Sequence, residues 1–313
     1  MRLRYRVTVF VVSAGAALLS PVVSRAAHPP ILPGPTAQTA HSGTKEYQFT
    51  TFDVPGAVYT WAYGIKTPGL VTGGYYVDGW HGALWQNGSL TTVVYPGVRH
   101  TLLGGVNPSG LVVGNYGPFL TQHAAIYDIG TGTWTTLPDV PNLPINIGNG
   151  INAQGIAVGS AGMGNLYVQS NNVAWIWDGT TYSFFTAPGS ALSGTAAGGI
   201  NAPGQVSGYF QDANGAFHGF VKSGSTFTQI DVPGATDTLA YAINNRTDVA
   251  GWYVDQQFET HGFVLSGGKF TTIDVPGSFG TVVTGINENG ELVGYWLDAN
   301  GAPSGAFTAS RQP

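Results

Sequence analysis

An internal repeat constrains this chain of 313 residues more than any other feature. A segment of the form Gly-Ile-Asn-x-x-Gly-x-Val-x-Gly occurs six times, at intervals of 41, 45, 49, 43 and 43 residues. The copies start at Gly64, Gly105, Gly150, Gly199, Ala242 and Gly285. This interval is that of a four-stranded propeller blade, so the repeat predicts an all-β, six-bladed β-propeller. A β-sandwich or β-solenoid is the alternative, but a single sandwich does not account for the period.

A second repeated element predicts how the ring closes. Its best copy is Phe-Thr-Thr-Ile-Asp-Val-Pro-Gly at residues 270–277, and it too occurs six times. The first copy, at residues 49–56, precedes every Gly-Ile-Asn segment, whereas the last Gly-Ile-Asn segment has no copy after it. The chain is therefore a circular permutation of whole units. We expect the strand at 49–56 to complete the blade that begins at Gly285, which leaves no open edge.

The composition agrees with this fold and excludes several others. The chain has 47 Gly, 19 Pro and no Cys, and only 9% of its residues are charged. Glycine and proline disfavour long helices, and blades that pack on both faces leave few positions for charge. An apolar fraction of 43% excludes a disordered chain. The absence of cysteine excludes a disulfide scaffold, a thiol enzyme and a cysteine-ligated zinc site.

The N-terminal residues have the pattern of an export signal. Three arginines precede a largely apolar run over residues 7–19, and small residues at 24 and 26 predict cleavage before Ala27. The run is shorter than the roughly 20 residues that span a bilayer. We therefore expect a secreted or periplasmic protein. The predicted organisation is a signal peptide at 1–26, a Pro-rich linker at 27–46, the propeller at 47–309 and a tail at 310–313.

Cleavage would make the protein more acidic. It removes four of the 11 basic residues and no acidic one, which leaves 7 basic and 16 acidic residues and a formal charge of −9. Such a chain lacks the basic surface with which proteins bind nucleic acid or anionic membranes. We expect a monomer whose partner is an extracellular glycan, a small molecule or a protein.

The repeat resembles that of the bacterial extracellular HAF-repeat proteins, a group named for a His-Ala-Phe signature. The resemblance covers residues 47–309, through the Gly-Ile-Asn and Asp-Val-Pro-Gly copies and through His-Gly-Phe at 218–220 and 261–263. In the other units the His-Ala-Phe signature is degenerate. The resemblance implies a repeat fold and export, but it implies no common reaction.

Repeated polar residues are expected on one face of the ring, in the loops between blades and between second and third strands. They are Asp53, Asp231 and Asp274 before Pro-Gly, then Asp78, Asp212, Asp255 and Asp298, three of which shortly precede His81, His218 and His261. Because the pattern recurs from blade to blade, we interpret these aspartates as turn-capping residues and the histidines as packing residues. The same groups could hold a divalent cation such as calcium, although the pattern assigns no metal ligand and requires no cofactor.

Residues that depart from the repeat are better functional candidates, because the scaffold does not require them. The candidates for catalysis, which could converge across the ring, are Arg99, His100, Asp237 and Glu259. The candidates for ligand binding are Tyr76, Trp80, His81, Tyr167 and Phe258. Tyr76 and Trp80 are predicted to form an aromatic platform for a sugar ring.

Two functions remain open at this point. The first is a secreted binding or interaction propeller that presents aromatic and carboxylate loops to an extracellular glycan or protein. Export, a rigid closed fold and the absence of a nucleophile elbow, a zincin motif or a P-loop favour it. The alternative is an enzyme, a lyase, hydrolase or lactonase, with its site at the mouth of the central channel and with or without a divalent cation.

Overall fold

The regular structure of the described residues is entirely β. A computed structural model describes residues 38–39 and 47–312, except 119, 166–167 and 192–193. All regular elements among these residues are strands, and none of them forms a helix long and apolar enough to cross a membrane. The all-β prediction is confirmed. The predicted signal peptide, most of the predicted linker and Tyr167 lie outside the described residues.

Five blades consist of four consecutive strands that pair antiparallel in chain order. The inner strands of neighbouring blades contact one another around a closed ring. After β1 (Gln38–Thr39) and β2 (Tyr47–Phe52), the first blade contains β3 (Tyr59–Lys66), β4 (Leu70–Tyr76), β5 (Trp80–Gln86) and β6 (Ser89–Val93). The second contains β7 (Thr101–Val106), β8 (Leu111–Tyr116), β9 (His123–Asp128) and β10 (Thr133–Thr136). The third contains β11 (Ile145–Ile151), β12 (Ala157–Asn165), β13 (Val168–Trp177) and β14 (Tyr182–Phe185). The fourth contains β15 (Thr195–Ile200), β16 (Val206–Gln211), β17 (Phe217–Ser223) and β18 (Thr226–Ile230). The fifth contains β19 (Asp237–Ile243), β20 (Val249–Val254), β21 (Thr260–Ser266) and β22 (Lys269–Ile273).

The sixth blade is completed by the N-terminal strand, as the order of the two repeated elements predicts. Its strands are β23 (Gly280–Ile286), β24 (Leu292–Leu297), β25 (Pro303–Arg311) and β2. β2 pairs antiparallel with β25 over six residue pairs, and β1 adds two more pairs on its outer edge. A parallel bridge between Thr260 and Gly280 joins blades five and six into one nine-stranded sheet.

The closing strand and the C-terminal strand differ slightly from their predicted bounds. β2 covers Tyr47–Phe52, and the residues after it form the loop into the first blade. β25 continues to Arg311, so two residues of the predicted tail belong to the sixth blade. The Nε of Arg311 donates a hydrogen bond to the Tyr47 hydroxyl at 3.0 Å, which ties the two ends of the described chain together.

The residue that opens each repeat, glycine in five copies and Ala242 in the fifth, lies where neighbouring inner strands approach one another closely. Every inner strand has a bulge immediately before this position. A Cβ added to Gly64 would lie 2.8 Å from the carbonyl oxygen of Gly104, and one on Gly150 would lie 2.9 Å from the Cα of Gly199. The close packing of the inner strands leaves little room for a side chain at this position, which explains why glycine recurs there in five of the six units.

The asparagine of the repeat joins neighbouring blades. The Oδ1 of Asn152 accepts a hydrogen bond from the backbone N–H of Ile156 in its own turn, while its Nδ2 donates to the carbonyl of Asn201 in the next blade. Three further bonds between adjacent asparagines follow the same pattern, Asn107 to Asn152, Asn201 to Asn244 and Asn244 to Asn287. A local cap is the expected role of an asparagine that opens an Asn-x-x-Gly turn, but the bond to the next blade is visible only in the structure.

Large side chains fill the axis of the ring. One buried cluster contains residues from the inner strands of all six blades, including Trp61, Tyr63 and Tyr241. The rings of Trp61 and Trp80 lie 4.3 Å apart within it. Burial raises the pKa of the Tyr63 and Tyr241 hydroxyls well above the ordinary value, so both groups stay neutral.

Candidate functional site

The acidic residues are concentrated on one face of the propeller, here called the upper face. Strands alternate in direction, so the loops between blades and the loops between second and third strands lie on the same side. Of the 15 acidic residues at positions 47–312, ten lie in these loops or at their ends, whereas Arg99 is the only lysine or arginine there. The ten are Asp53, Asp78, Asp139, Asp212, Asp231, Asp237, Asp255, Glu259, Asp274 and Asp298.

A histidine paired with aspartate recurs on this face in four blades. The paired histidines are His81, His123, His218 and His261. Each ring also packs against an aromatic ring of the second strand, with centroids 5.1 to 5.3 Å apart. In blades four and five the histidine lies between two carboxylates. His218 lies between Asp231 and Asp212, at 2.9 and 3.7 Å.

The aspartates of the second-to-third-strand loops cap their own turns. The Oδ1 of Asp212, Asp255 and Asp298 each accepts hydrogen bonds from two backbone N–H groups, two and four residues further on. These bonds stabilise the charged form, and the bond from Ala216 is the largest cause that lowers the pKa of Asp212. The geometry agrees with the interpretation of these residues as turn caps, and it leaves the second oxygen of each carboxylate for other partners.

Blade five differs from blade four at all five positions between the aspartate and the histidine of this loop, and two of the differences introduce a large aromatic ring and a carboxylate. The loop from Asp255 to His261 has the same length as the loop from Asp212 to His218 in blade four, but Phe258 and Glu259 replace a glycine and an alanine. Phe258 keeps the positive φ of the glycine position, at 66°, and its side chain is 57% exposed. A bulky residue rarely adopts this conformation, and such strain is typical of functional sites.

Glu259 completes a cluster of possible ligand atoms. One atom each from Asp255, Glu259 and His261 lie within 4.8 Å of one another, and no other group of this kind is found among the described residues. The Nδ1 of His261 is 3.0 Å from the carboxylate of Asp274, and its Nε2 is 3.6 Å from Asp255. The hydrogen bond to Asp274, followed by the charges of the neighbouring carboxylates, raises the pKa of His261 above its ordinary value.

A cleft of about 420 Å³ opens beside this cluster, between blades five and six. It is lined by Glu259, Thr260, His261 and the loop at 274–280. Phe279 projects from that loop with 68% of its surface exposed. At the junction of blades four and five, the corresponding position is Thr236. Carboxylates, an imidazole and the exposed ring of Phe279 therefore line a single cleft, and the exposed Phe258 directly precedes Glu259 in the adjoining loop.

The four residues predicted to be catalytic occupy three different junctions. His100 accepts a hydrogen bond from the backbone N–H of Trp80 at 3.2 Å, between blades one and two, and the adjacent Arg99 donates to the carbonyl of Asp78. Asp237 accepts from the backbone N–H of Phe217 at 3.0 Å, between blades four and five. Burial lowers the pKa of His100. Glu259 alone of the four lines the cleft described above.

The predicted aromatic platform is wrong, because Trp80 is only 1% exposed. Its ring lies in the axial cluster against Trp61, and Tyr76 packs on the same cluster. His81 follows Trp80 in β5 and hydrogen bonds to Asp78 on the upper face. Phe279 was not anticipated. An alignment of the six loops between blades would have shown that Phe279, in the loop from blade five to blade six, corresponds to Thr236 in the loop from blade four to blade five.

Comparison with known proteins supports the fold and gives no family. No protein-family model and no curated protein matches the chain. Among solved structures, TolB from Acinetobacter baumannii superposes with a TM-score of 0.52 and 11% identity over 74% of this chain. The chain spans 59% of the length of that TolB chain.

Two other solved structures match over most of both chains. One is a fungal lectin from Aleuria aurantia, which has a six-bladed β-propeller fold and recognises fucose (TM-score 0.52, 10% identity, 84% of this chain and 97% of that chain). The other is a gluconolactonase from Xanthomonas campestris (TM-score 0.52, 10% identity, 92% of this chain and 99% of that chain). At such identities the likeness shows the fold alone, so the chain is a β-propeller, a fold that carries both binding proteins and enzymes.

Proposed function

We propose that the protein is a glycan-binding propeller that holds a saccharide in the cleft between blades five and six. The observation that carries this proposal is the exposed pair Phe258 and Phe279 beside a cleft lined by Glu259, His261 and Asp274. Sugars have two kinds of surface, apolar C–H faces and hydroxyl edges. Aromatic rings pack against the first kind, and carboxylates and imidazoles form hydrogen bonds with the second.

The comparison with blade four shows that the scaffold does not need these residues. The junction of blades four and five has the same Asp-His-Asp frame, formed by Asp212, His218 and Asp231. It lacks the two phenylalanines and the glutamate, for which it has Gly215, Thr236 and Ala216. Since the junction of blades four and five folds without these residues, the additional groups at the junction of blades five and six are best explained by a ligand.

Binding is favoured over catalysis by where the polar groups lie. Large buried side chains occupy the axis of the ring, and the predicted catalytic residues lie at separate junctions. His100 and Asp237 both accept backbone N–H groups between blades, a role that stabilises the fold. The fold itself does not distinguish the two functions, because propellers include the lectin and the lactonase named above.

An extracellular setting supports a glycan as the ligand. The predicted signal peptide at 1–26 and the resemblance to the extracellular HAF-repeat proteins would place the folded chain outside the cytoplasm. The lack of cysteine is no obstacle there, because the paired β2 and β25 connect the ends of the ring without a disulfide.

A glycan screen followed by titration calorimetry tests the proposal. The chain from Ala27 onward is screened against neutral, amino-bearing and acidic oligosaccharides, and the best saccharide is titrated into variants. Phe279→Ala should weaken binding roughly tenfold, the equivalent of about 1.4 kcal/mol of ring packing. The matched control is Thr236→Ala at the neighbouring junction, which should bind as the parent does. Failure of every saccharide to bind, or equal affinity in Phe279→Ala and the parent, would refute the proposal.

A further inference from the structure

We propose that Asp255, Glu259 and His261 bind a divalent transition-metal ion, with zinc as the best fit. This proposal rests on the donor atoms of the cluster and does not depend on the saccharide proposed above. The three ligand atoms lie within 4.8 Å of one another. Two ligands of one zinc ion, each about 2.1 Å from it, lie at most about 4.2 Å apart. Small rotations of the side chains are therefore enough to form the site.

The histidine is already oriented as a metal ligand. Its Nδ1 is hydrogen bonded to Asp274 at 3.0 Å, and its Nε2 is directed toward Asp255. A histidine that binds a metal typically donates its other ring N–H to a carboxylate, which fixes the tautomer and the ring plane. Asp274 therefore serves as a positioning residue that leaves the Nε2 lone pair facing the cluster.

The backbone of the loop holds Asp255 in the matching orientation. Its Oδ1 accepts hydrogen bonds from the N–H groups of Gln257 and Glu259, both at 2.8 Å. The Oδ2 is the oxygen that faces His261, at 3.6 Å from its Nε2. One carboxylate oxygen is thus used by the turn and the other is available to an ion, so the fold supplies this ligand before any metal binds.

The donor set selects the kind of ion. One imidazole nitrogen and two carboxylates suit zinc and related first-row ions, whereas calcium takes oxygen ligands only. The donor set of this cluster therefore favours a transition metal over calcium, the example of a divalent cation that the aspartate-rich loops could hold. Three protein ligands leave a coordination position for water or for a hydroxyl group in the adjoining cleft.

Blade four supplies a natural control. Asp212, His218 and Asp231 repeat the positions of Asp255, His261 and Asp274, with distances of 3.7 and 2.9 Å from the histidine to its two carboxylates. Ala216 stands at the position of Glu259, so this blade has the positioning residue and only two of the three ligands. The two blades differ at the residue that would decide metal binding.

The test is calorimetric titration of zinc into metal-free, tag-free protein. We expect one zinc ion to bind per parent chain. Glu259→Gln should abolish this binding with an unchanged melting temperature, and Asp274→Asn should weaken it roughly 10- to 100-fold. Ala216→Glu should add a second zinc ion. No zinc binding by the parent chain, or unchanged binding in Glu259→Gln, would overturn the proposal. Absence of the second ion in a folded Ala216→Glu variant would also count against it.

Saccharide binding is measured separately so that the two proposals can fail independently. Phe279→Ala leaves all three proposed ligands intact, so it should bind zinc as the parent does. Zinc binding without saccharide binding would refute only the glycan proposal. Saccharide binding without zinc binding would refute only the metal proposal.

Discussion

Replacing Phe49 by alanine should destabilise the whole propeller, because this residue anchors the strand that closes the ring. Phe49 lies on β2 and is only 3% exposed. Its ring centroid is 5.7 Å from that of Phe307 on β25, and it belongs to a buried cluster that also includes Val264 and Val283 of blades five and six. One side chain near the N-terminus thus contributes to the packing of the two blades that end the chain.

The expected loss of unfolding free energy is about 3–5 kcal/mol, the range for removing a buried phenylalanine ring. For a domain of this size, each kcal/mol corresponds to a shift of roughly 2 °C in melting temperature, so the variant should melt about 6–10 °C below the parent. The loss of unfolding free energy should be near the upper end of this range if the remaining residues of β2 detach together, because β25 would then become an open edge of the sheet.

Guanidinium unfolding followed by tryptophan fluorescence measures the loss, with calorimetry for the melting temperature. The matched control is Phe184→Ala on β14, the outer strand of blade three, where the side chain is 47% exposed. That change should cost less than about 1 kcal/mol. If Phe49→Ala lost no more stability than Phe184→Ala, β2 would not be a structural closure and the reasoning would fail.

Three further predictions concern the loops and the blade junctions. Phe258→Gly should raise the unfolding free energy by about 1 kcal/mol through relief of the positive φ, while it weakens saccharide binding; a loss of stability in denaturant titrations would contradict this. The pKa of His100 is lowered in the folded state, so the unfolded state takes up the proton first, and stability should fall as the pH drops below about 6.5. A His100→Asn variant should show a smaller fall over that range in melts at a series of pH values, and an equal fall would rule out His100 as its source. Asn201→Ala should cost about 1–3 kcal/mol, because it removes both a turn cap and a bond to the next blade, whereas the control Asn214→Ala in an exposed loop should cost little; equal losses in denaturant would contradict the inter-blade role.

The fold could be predicted from the sequence because a repeat period and the order of two elements are properties of the chain alone. The interval between copies defined the blades, and the early copy at 49–56 defined the closure. The ring closure could be predicted without knowing which way each side chain points, because a strand that completes a four-stranded blade must pair with the neighbouring strand of that blade. Only the ends of β2 and β25 shifted by a few residues.

The site was predicted only in part, because side-chain direction depends on strand register. A shift of one residue moves a side chain to the other face of a strand. Trp80 and His81 are adjacent, yet Trp80 lies in the axial cluster and His81 on the upper face. Glu259 and Phe258 were identified because they depart from the repeat. Their partner Asp274 was assigned to a turn, since its bond to His261 crosses between strands and is not apparent in the spacing.

The charge of the upper face limits which glycan the proposed site would accept. Ten carboxylates and one arginine on the same face repel an acidic sugar, most strongly when the ionic strength is low. A neutral or amino-bearing saccharide meets no such barrier, and its hydroxyl or ammonium groups can donate to Glu259 and Asp274 in the cleft. A zinc ion held by Asp255, Glu259 and His261 would offset the charge of two of these carboxylates and offer a hydroxyl oxygen a direct ligand position. Metal-free protein should therefore discriminate most strongly against acidic oligosaccharides. Added zinc should reduce that discrimination in the parent chain and leave it unchanged in Glu259→Gln, and a preference for acidic sugars in metal-free protein would refute this account of the face.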